Sequence, residues 1–252
     1  IVVFLIAMFL GVDPSQLLGT GGVETGSPGT PVELTAEDKA EGQFVSVVLA
    51  DTEEIWTRVF KDQLNATYTP ATLVLFKDAT RSACGGASEA SGPFYCPADK
   101  KVYLDTAFFA TLHQRIGASG DFAAAYVVAH EIGHHVQNEL GILGKATQIR
   151  QQVSQEESNA ISVRVELQAD CLSGIWAREA AQTLGVIERG DLEEAVNAAR
   201  QIGDDTLQRN AGQRPMPHTF THGTSEQRSR WFMIGLQSGL IADCDTFQTD
   251  DL

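Results

Sequence analysis

Between Tyr126 and Asn138 the chain reads Y-V-V-A-H-E-I-G-H-H-V-Q-N, an apolar run without lysine or arginine that holds three histidines and a glutamate. A helix of that composition must be covered on most of its surface, and a covered imidazole or carboxylate must find a partner. His130 and His134 are four residues apart, so their rings share one helix face about one turn apart and can reach a single ion. Glu131 projects toward the same end of that face. It is poorly placed to be a ligand as well, but it can take a proton from a water at the ion. The spacing H-E-x-x-H therefore predicts a zinc-binding helix with two ligands and a general base. His135 points about 100° away from His134, falls outside the ligand set, and is expected to pack or to make a surface hydrogen bond.

A catalytic zinc takes three protein ligands and leaves the fourth position to water, so a third ligand must come from downstream. Glu166, in V-E-L-Q-A-D-C, is the best candidate, with Asp170 one helical turn on. Asp170 would accept a hydrogen bond from the far ring nitrogen of a ligating histidine and fix its tautomer. The competing reading places both carboxylates on a solvated helix face. Against it, Leu167, Ala169, Cys171, Leu172, Ile175 and Trp176 leave little polar surface there.

Four stretches together resemble the neutral zinc metallopeptidase family of bacteria: G-D-F-A-A-A-Y-V-V-A-H-E-I-G-H-H-V-Q at 120–137, E-L-Q-A-D-C at 166–171, G-P-F-Y-C-P at 92–97 and H-G-T-S-E-Q-R at 222–228. The resemblance runs from about Thr35 to Phe247. The His, His, Glu order and the Glu-x-x-x-Asp pair are also similar to the thermolysin-like gluzincins, a kinship at the level of the fold. The resemblance implies an α+β, mainly helical fold, with a zincin-like active-site helix, a small β-sheet and a helical second half. It implies one zinc per chain and a peptide or protein substrate. In zincin-like folds an edge strand above the active-site helix can pair with an extended substrate. The resemblance would give that role to one of the β-rich runs Thr72 to Phe76 or Lys101 to Leu104.

At 252 residues and 43% hydrophobic composition the chain can build one substantial core. A formal charge of -15 argues against nucleic-acid binding, which wants basic patches for phosphate, and disfavours anionic lipid heads. The four cysteines at 84, 96, 171 and 244 form no C-x-x-C pattern, and their even count permits two disulfides. Cys84 with Cys96 is the natural short pair, and Cys171 with Cys244 would tie the C-terminal region to the Glu166 helix. Four reduced, buried thiols are the alternative.

Residues 1–12 (I-V-V-F-L-I-A-M-F-L-G-V) are apolar without interruption, yet twelve helical residues span only about 18 Å of a roughly 30 Å hydrocarbon core. They read as the remnant of an N-terminal membrane anchor; a cleaved signal peptide fits less well because no A-x-A site follows. Residues 13–34, rich in Gly, Pro, Ser and Thr, read as a flexible linker, and residues 35–252 as the zinc metallopeptidase domain. The disulfide reading and the resemblance together place that domain outside the cytoplasm.

Within the domain, Thr35 and the Asp51-Thr52-Glu53-Glu54 stretch read as the starts of two amphipathic helices. Asp105-Thr106 opens another helix, with Phe108, Phe109, Leu112 and Ile116 apolar, and its His113 is given no role. Lys145 to Ser154 and then Glu157 to Leu184 continue in helical periodicity, Asp191 caps a helix through Ile202, and residues 203–217 read as a loop. Thr224 and Gln227 form a capping box for a helix through Ser238, which leaves His222 unexplained. His222 is either an exposed loop histidine or a donor to the oxyanion of a tetrahedral intermediate, with His218 as substitute.

These residues lead to a zinc endopeptidase with ligands His130, His134 and Glu166 and base Glu131. A membrane-tethered, non-catalytic zinc-binding protein, or a zinc hydrolase acting on a non-peptide amide or ester, are the alternatives.

Overall fold

The computed structural model describes residues 35–77, 79–88, 92–105, 121–185, 187–188 and 190–252. The expected anchor at 1–12, the linker at 13–34 and the helix expected after Asp105, with His113, lie outside the described residues. The described elements are α1 (Ala36–Leu64), β1 (Thr72–Phe76), β2 (Ala79–Ser82), β3 (Gly85–Ser88), β4 (Phe94–Cys96), β5 (Lys101–Asp105), α2 (Asp121–Glu139), α3 (Ile142–Arg150), α4 (Gln155–Glu179), α5 (Asp191–Gln201), α6 (Asp204–Asn210) and α7 (Ser225–Ser238). The fold is α+β and mainly helical, with a small sheet ahead of a helical second half.

Helix α2 is the axis of this arrangement. Residues 122–133 are buried without exception, because α1, α4, α5 and strands β4 and β5 pack around it. Apolar residues on every side of α2 therefore meet protein on every side. Ile55 and Trp56 of α1, Tyr126 and Ile132 of α2, Leu167, Leu172 and Ile175 of α4, and Trp231 and Phe232 of α7 form the core.

Helix spacing is set by small residues at the crossings. A Cβ on Gly133 would lie 2.9 Å from the Ala169 carbonyl oxygen and 3.2 Å from its Cα, so α2 and α4 touch backbone to backbone between the two histidines and beside Glu166. A Cβ on Gly235 would run into the Cys171 carbonyl, bringing α7 equally close to α4. The disulfide between Cys171 and Cys244, with Cα atoms 5.6 Å apart, ties the segment after α7 to the same helix.

β5 is the middle strand of the order β1-β5-β4, parallel to β1 and antiparallel to β4. Its burial on both faces from Val102 to Asp105 follows from that position. The stretch between Cys84 and Cys96, expected as a loop, contains β3 and the edge strand β4. β2 and β3 pair as an antiparallel hairpin, and its turn residue Cys84 is bonded to Cys96 at the end of β4, with Cα atoms 5.8 Å apart.

Two expectations about helices need correction. Residues 36–64 form one helix of 29 residues, not two. Thr52 does not cap a new start: its hydroxyl donates to the Leu49 carbonyl at 2.6 Å, the back-bonding that a helix interior allows threonine, and no proline interrupts the stretch. The expected loop at 203–217 contains α6, whose first turn carries Asp204 and Asp205 and whose last turn carries Arg209, charges that complement the helix dipole. α4 starts with a full capping box between Ser154 and Glu157, and α7 with the expected one between Thr224 and Gln227.

Gly235→Ala is expected to lower stability by about 1–3 kcal/mol or more, the cost of overpacking, despite alanine's better helix propensity. Gly133→Ala should do the same and also weaken metal binding, because it spreads α2 from α4. Thermal unfolding and chelator competition measure the two effects.

Candidate metal centre

α2 supplies His130, Glu131 and His134, and α4 supplies Glu166 and Asp170. The close crossing at Gly133 puts the Glu166 carboxylate across both rings: Oε2 is 3.1 Å from His130 Nε2 and Oε1 is 3.5 Å from His134 Nε2. One ligand atom from each of the three residues lies within 4.8 Å of the others. Two imidazole nitrogens and a carboxylate oxygen are a donor set that zinc takes, and the three groups, His130 and Glu166 buried and His134 half-buried, converge on one point, so the residues fit the ion. Burial pushes the Glu166 carboxyl up, but His134, His222 and the bond from His130 outweigh it and hold the group well below the ordinary carboxylate range.

The far nitrogen of His130 bonds Asp170, Nδ1 to Oδ1 at 2.8 Å. Asp170 is fully buried and is met from the other side by Arg228, with Nε to Oδ2 at 2.8 Å and Nη2 to Oδ1 at 2.9 Å. The Tyr126 hydroxyl donates to Oδ1 at 2.5 Å. Burial disfavours the charge on Asp170, yet Arg228 and His130 keep its carboxyl below the ordinary value. Burial likewise works against the His130 imidazolium, and Asp170 and Glu166 reverse the effect, raising His130 to about 9.

Glu131 is also buried, and no side-chain ligand geometry engages it. Burial, helped by the neighbouring Glu166 charge, holds its carboxyl above the ordinary value, although His134, His130 and the Tyr95 backbone N–H pull the other way. β4 is an edge strand of the sheet and packs against α2, which brings the Tyr95 backbone beside the base. Both β4 and β5 pack against the active-site helix, but β5, which contains the expected run Lys101 to Leu104, is the middle strand without a free edge, whereas β4 is an edge strand.

His222 is buried beside Glu166, close enough to act on its charge. Asp204 builds the loop that holds it: Oδ2 accepts the backbone N–H groups of Thr221, His222 and Gly223 at 2.7, 2.6 and 3.1 Å, and Oδ1 lies 3.3 Å from His222 Nδ1. Gly223 takes φ 89°, which a side chain rarely adopts, and a Cβ there would crowd Leu167 and Val163 of α4. His218, the substitute candidate, is exposed. His135 is fully buried between the Tyr95 hydroxyl at 2.9 Å and the Thr69 carbonyl at 2.6 Å, so it ties α2 to β4 and lies away from the ligand cluster.

Arg228 and Asp204 carry no role in the sequence reading. Arg228 had a signal: with Trp231, Phe232 and Gly235 it falls at helical spacing on the apolar stripe of α7, and an arginine on a buried stripe needs an acid opposite. Asp204 had none, because it falls in a stretch that reads as a loop, where an aspartate is ordinary.

A buried helix with two histidines, met by a glutamate from a second helix, forms a cluster that could hold a metal ion. The chain belongs to the family described as "Putative neutral zinc metallopeptidase", which matches residues 1–247. It is 46% identical over 252 residues, 98% of this chain and 85% of the relative, to uncharacterized protein YpfJ of Escherichia coli. It is 40% identical over 259 residues to uncharacterized protein Mb2605 of Mycobacterium bovis and to uncharacterized protein Rv2575 of Mycobacterium tuberculosis, covering 98% of this chain and 86% of each. No solved structure matches the chain significantly.

Two outcomes follow. Because apo His130 stays protonated up to about pH 9, a metal must displace that proton, and apparent zinc affinity should rise with pH by roughly tenfold per unit for each proton released, flattening above about pH 9. Asp170→Asn should weaken zinc about 10- to 100-fold and also destabilise the fold by about 3–5 kcal/mol, since it leaves the buried Arg228 guanidinium unpaired. Chelator competition across pH and chemical denaturation check them.

Proposed function

We propose that this protein is a zinc-dependent peptidase, most simply an endopeptidase, binding one zinc per chain through His130, His134 and Glu166. The observation that carries this reading is Glu131: a buried carboxylate adjoining the ligand cluster yet outside it. A closed structural site has no use for such a group, whereas hydrolysis requires a base. Zinc, when bound, supplies Lewis acidity toward a carbonyl oxygen and lowers the pKa of a water to about 7.

The chain's own residues would do the rest. Glu131 takes the proton from the attacking water and returns it to the leaving amine. The Tyr95 N–H orients that carboxylate. The outer edge of β4 offers main-chain groups to an extended substrate by strand addition, which favours a peptide over a small amide or ester. His222, set by Asp204, donates a hydrogen bond to the oxyanion.

The same reading places the domain outside the cytoplasm, tethered to a membrane by its N-terminal segment. The two disulfides support an oxidising compartment. Among the described residues no helix is long and apolar enough to cross a membrane.

Glu131→Gln tests the assignment. The variant should keep one zinc per chain while its cleavage of a broad peptide library drops at least about a thousandfold, of the order of removing a catalytic base. Unchanged cleavage would remove Glu131 as base, and with it the peptidase mechanism.

A further inference from the structure

His130 and His134 present their Nε2 atoms to the same carboxylate, but their Nδ1 atoms are held in different ways. His130 meets an ion pair, Asp170 with Arg228. His134 meets an uncharged relay: Nδ1 lies 2.9 Å from Gln137 Oε1, Gln137 Nε2 donates to the Val165 carbonyl at 2.7 Å and to Gln168 Oε1 at 3.0 Å, and Gln168 Nε2 donates to the Cys244 carbonyl at 2.9 Å. Both glutamines are buried, and Cys244 is fixed by its bond to Cys171 on α4.

The direction of every bond in this relay is determined. A carbonyl oxygen only accepts, so the Cys244 carbonyl forces Gln168 to point its NH2 there and its oxygen toward Gln137. Gln137 then faces two acceptors, Val165 O and Gln168 Oε1, which only its NH2 can satisfy. Its oxygen is left for His134, and an amide oxygen can only accept. His134 must carry a proton on Nδ1, which leaves Nε2, the atom turned to Glu166, as the nitrogen that can meet a metal.

We propose that Gln137 and Gln168 are positioning residues that impose the metal-binding tautomer on His134, with the disulfide-anchored Cys244 carbonyl as the fixed end of the relay. This rests on the reading of His134 as a zinc ligand. The bland alternative is that the glutamines merely fill the contact between α2 and α4.

The two readings predict opposite orders for two substitutions. Gln137→Glu keeps an acceptor for the Nδ1–H but buries a carboxylate; Gln137→Leu is uncharged and of similar size but offers no acceptor. If Gln137 positions His134, the zinc-loaded full-length chain should bind zinc about 10- to 100-fold more weakly with Leu, and Glu should recover most of that loss even with a lower melting temperature. Gln168→Leu should give a smaller loss. In 15N-histidine-labelled, zinc-loaded protein, the His134 Nδ1–H resonance should be protected from solvent exchange in wild type and lose protection in Gln137→Leu, while that of His130, held by Asp170, is unchanged. Leu equal to or better than Glu in zinc affinity, or a His134 N–H equally protected in Gln137→Leu, would overturn the proposal. His134→Ala separates the two levels: retention of wild-type zinc affinity there would remove His134 as a ligand and defeat the parent reading, whatever the glutamine variants do.

Discussion

A helix buried on every side can hold ionisable groups only if each has a partner, because an unpaired charge in the interior costs several kcal/mol. α2 carries His130, Glu131, His134, His135 and Gln137 at positions where a helix so placed would ordinarily carry aliphatic residues. The neighbouring elements are arranged to meet that demand. α4 brings Glu166, Gln168 and Asp170, α7 brings Arg228, β4 brings the Tyr95 N–H and hydroxyl, and the carbonyl of Thr69 meets His135.

Bringing those partners within hydrogen-bonding reach requires helices that nearly touch. Gly133 and Gly235 remove the side chains that would keep α2, α4 and α7 apart, and the bond from Cys171 to Cys244 anchors the C-terminal segment at the same level of α4. That segment is further held by Arg164, which donates to the carbonyls of Thr246 and Thr249. The polar centre and the close packing are thus one design: relaxing the crossing by the width of a methyl group would leave Glu166 out of reach of both rings.

What was legible in the sequence was whatever depends on spacing within one element. H-E-x-x-H, the i, i+4 pair of Glu166 and Asp170, and the capping box at Thr224 each follow from helix geometry, and all three stand where that geometry puts them. The partners brought together by tertiary contact were less legible. Arg228 lies 58 residues from the aspartate it holds, and Asp204 lies 18 from His222, separations that no local pattern reports. β4 was missed because Phe94–Cys96 is too short to show alternation and sits in a Gly-rich stretch that reads as a loop. The false break near Asp51 arose because acids and a threonine carry the same signal in a helix interior as at a start.

The central claim is that these buried partners exist to hold one zinc between α2 and α4. X-ray absorption spectroscopy at the zinc edge on the zinc-loaded full-length chain tests it most directly. The account predicts a first shell of nitrogen and oxygen at about 2.0–2.2 Å without sulfur, with outer-shell scattering from two imidazoles. A sulfur shell at about 2.3 Å, or a first shell without imidazole scattering, would contradict it.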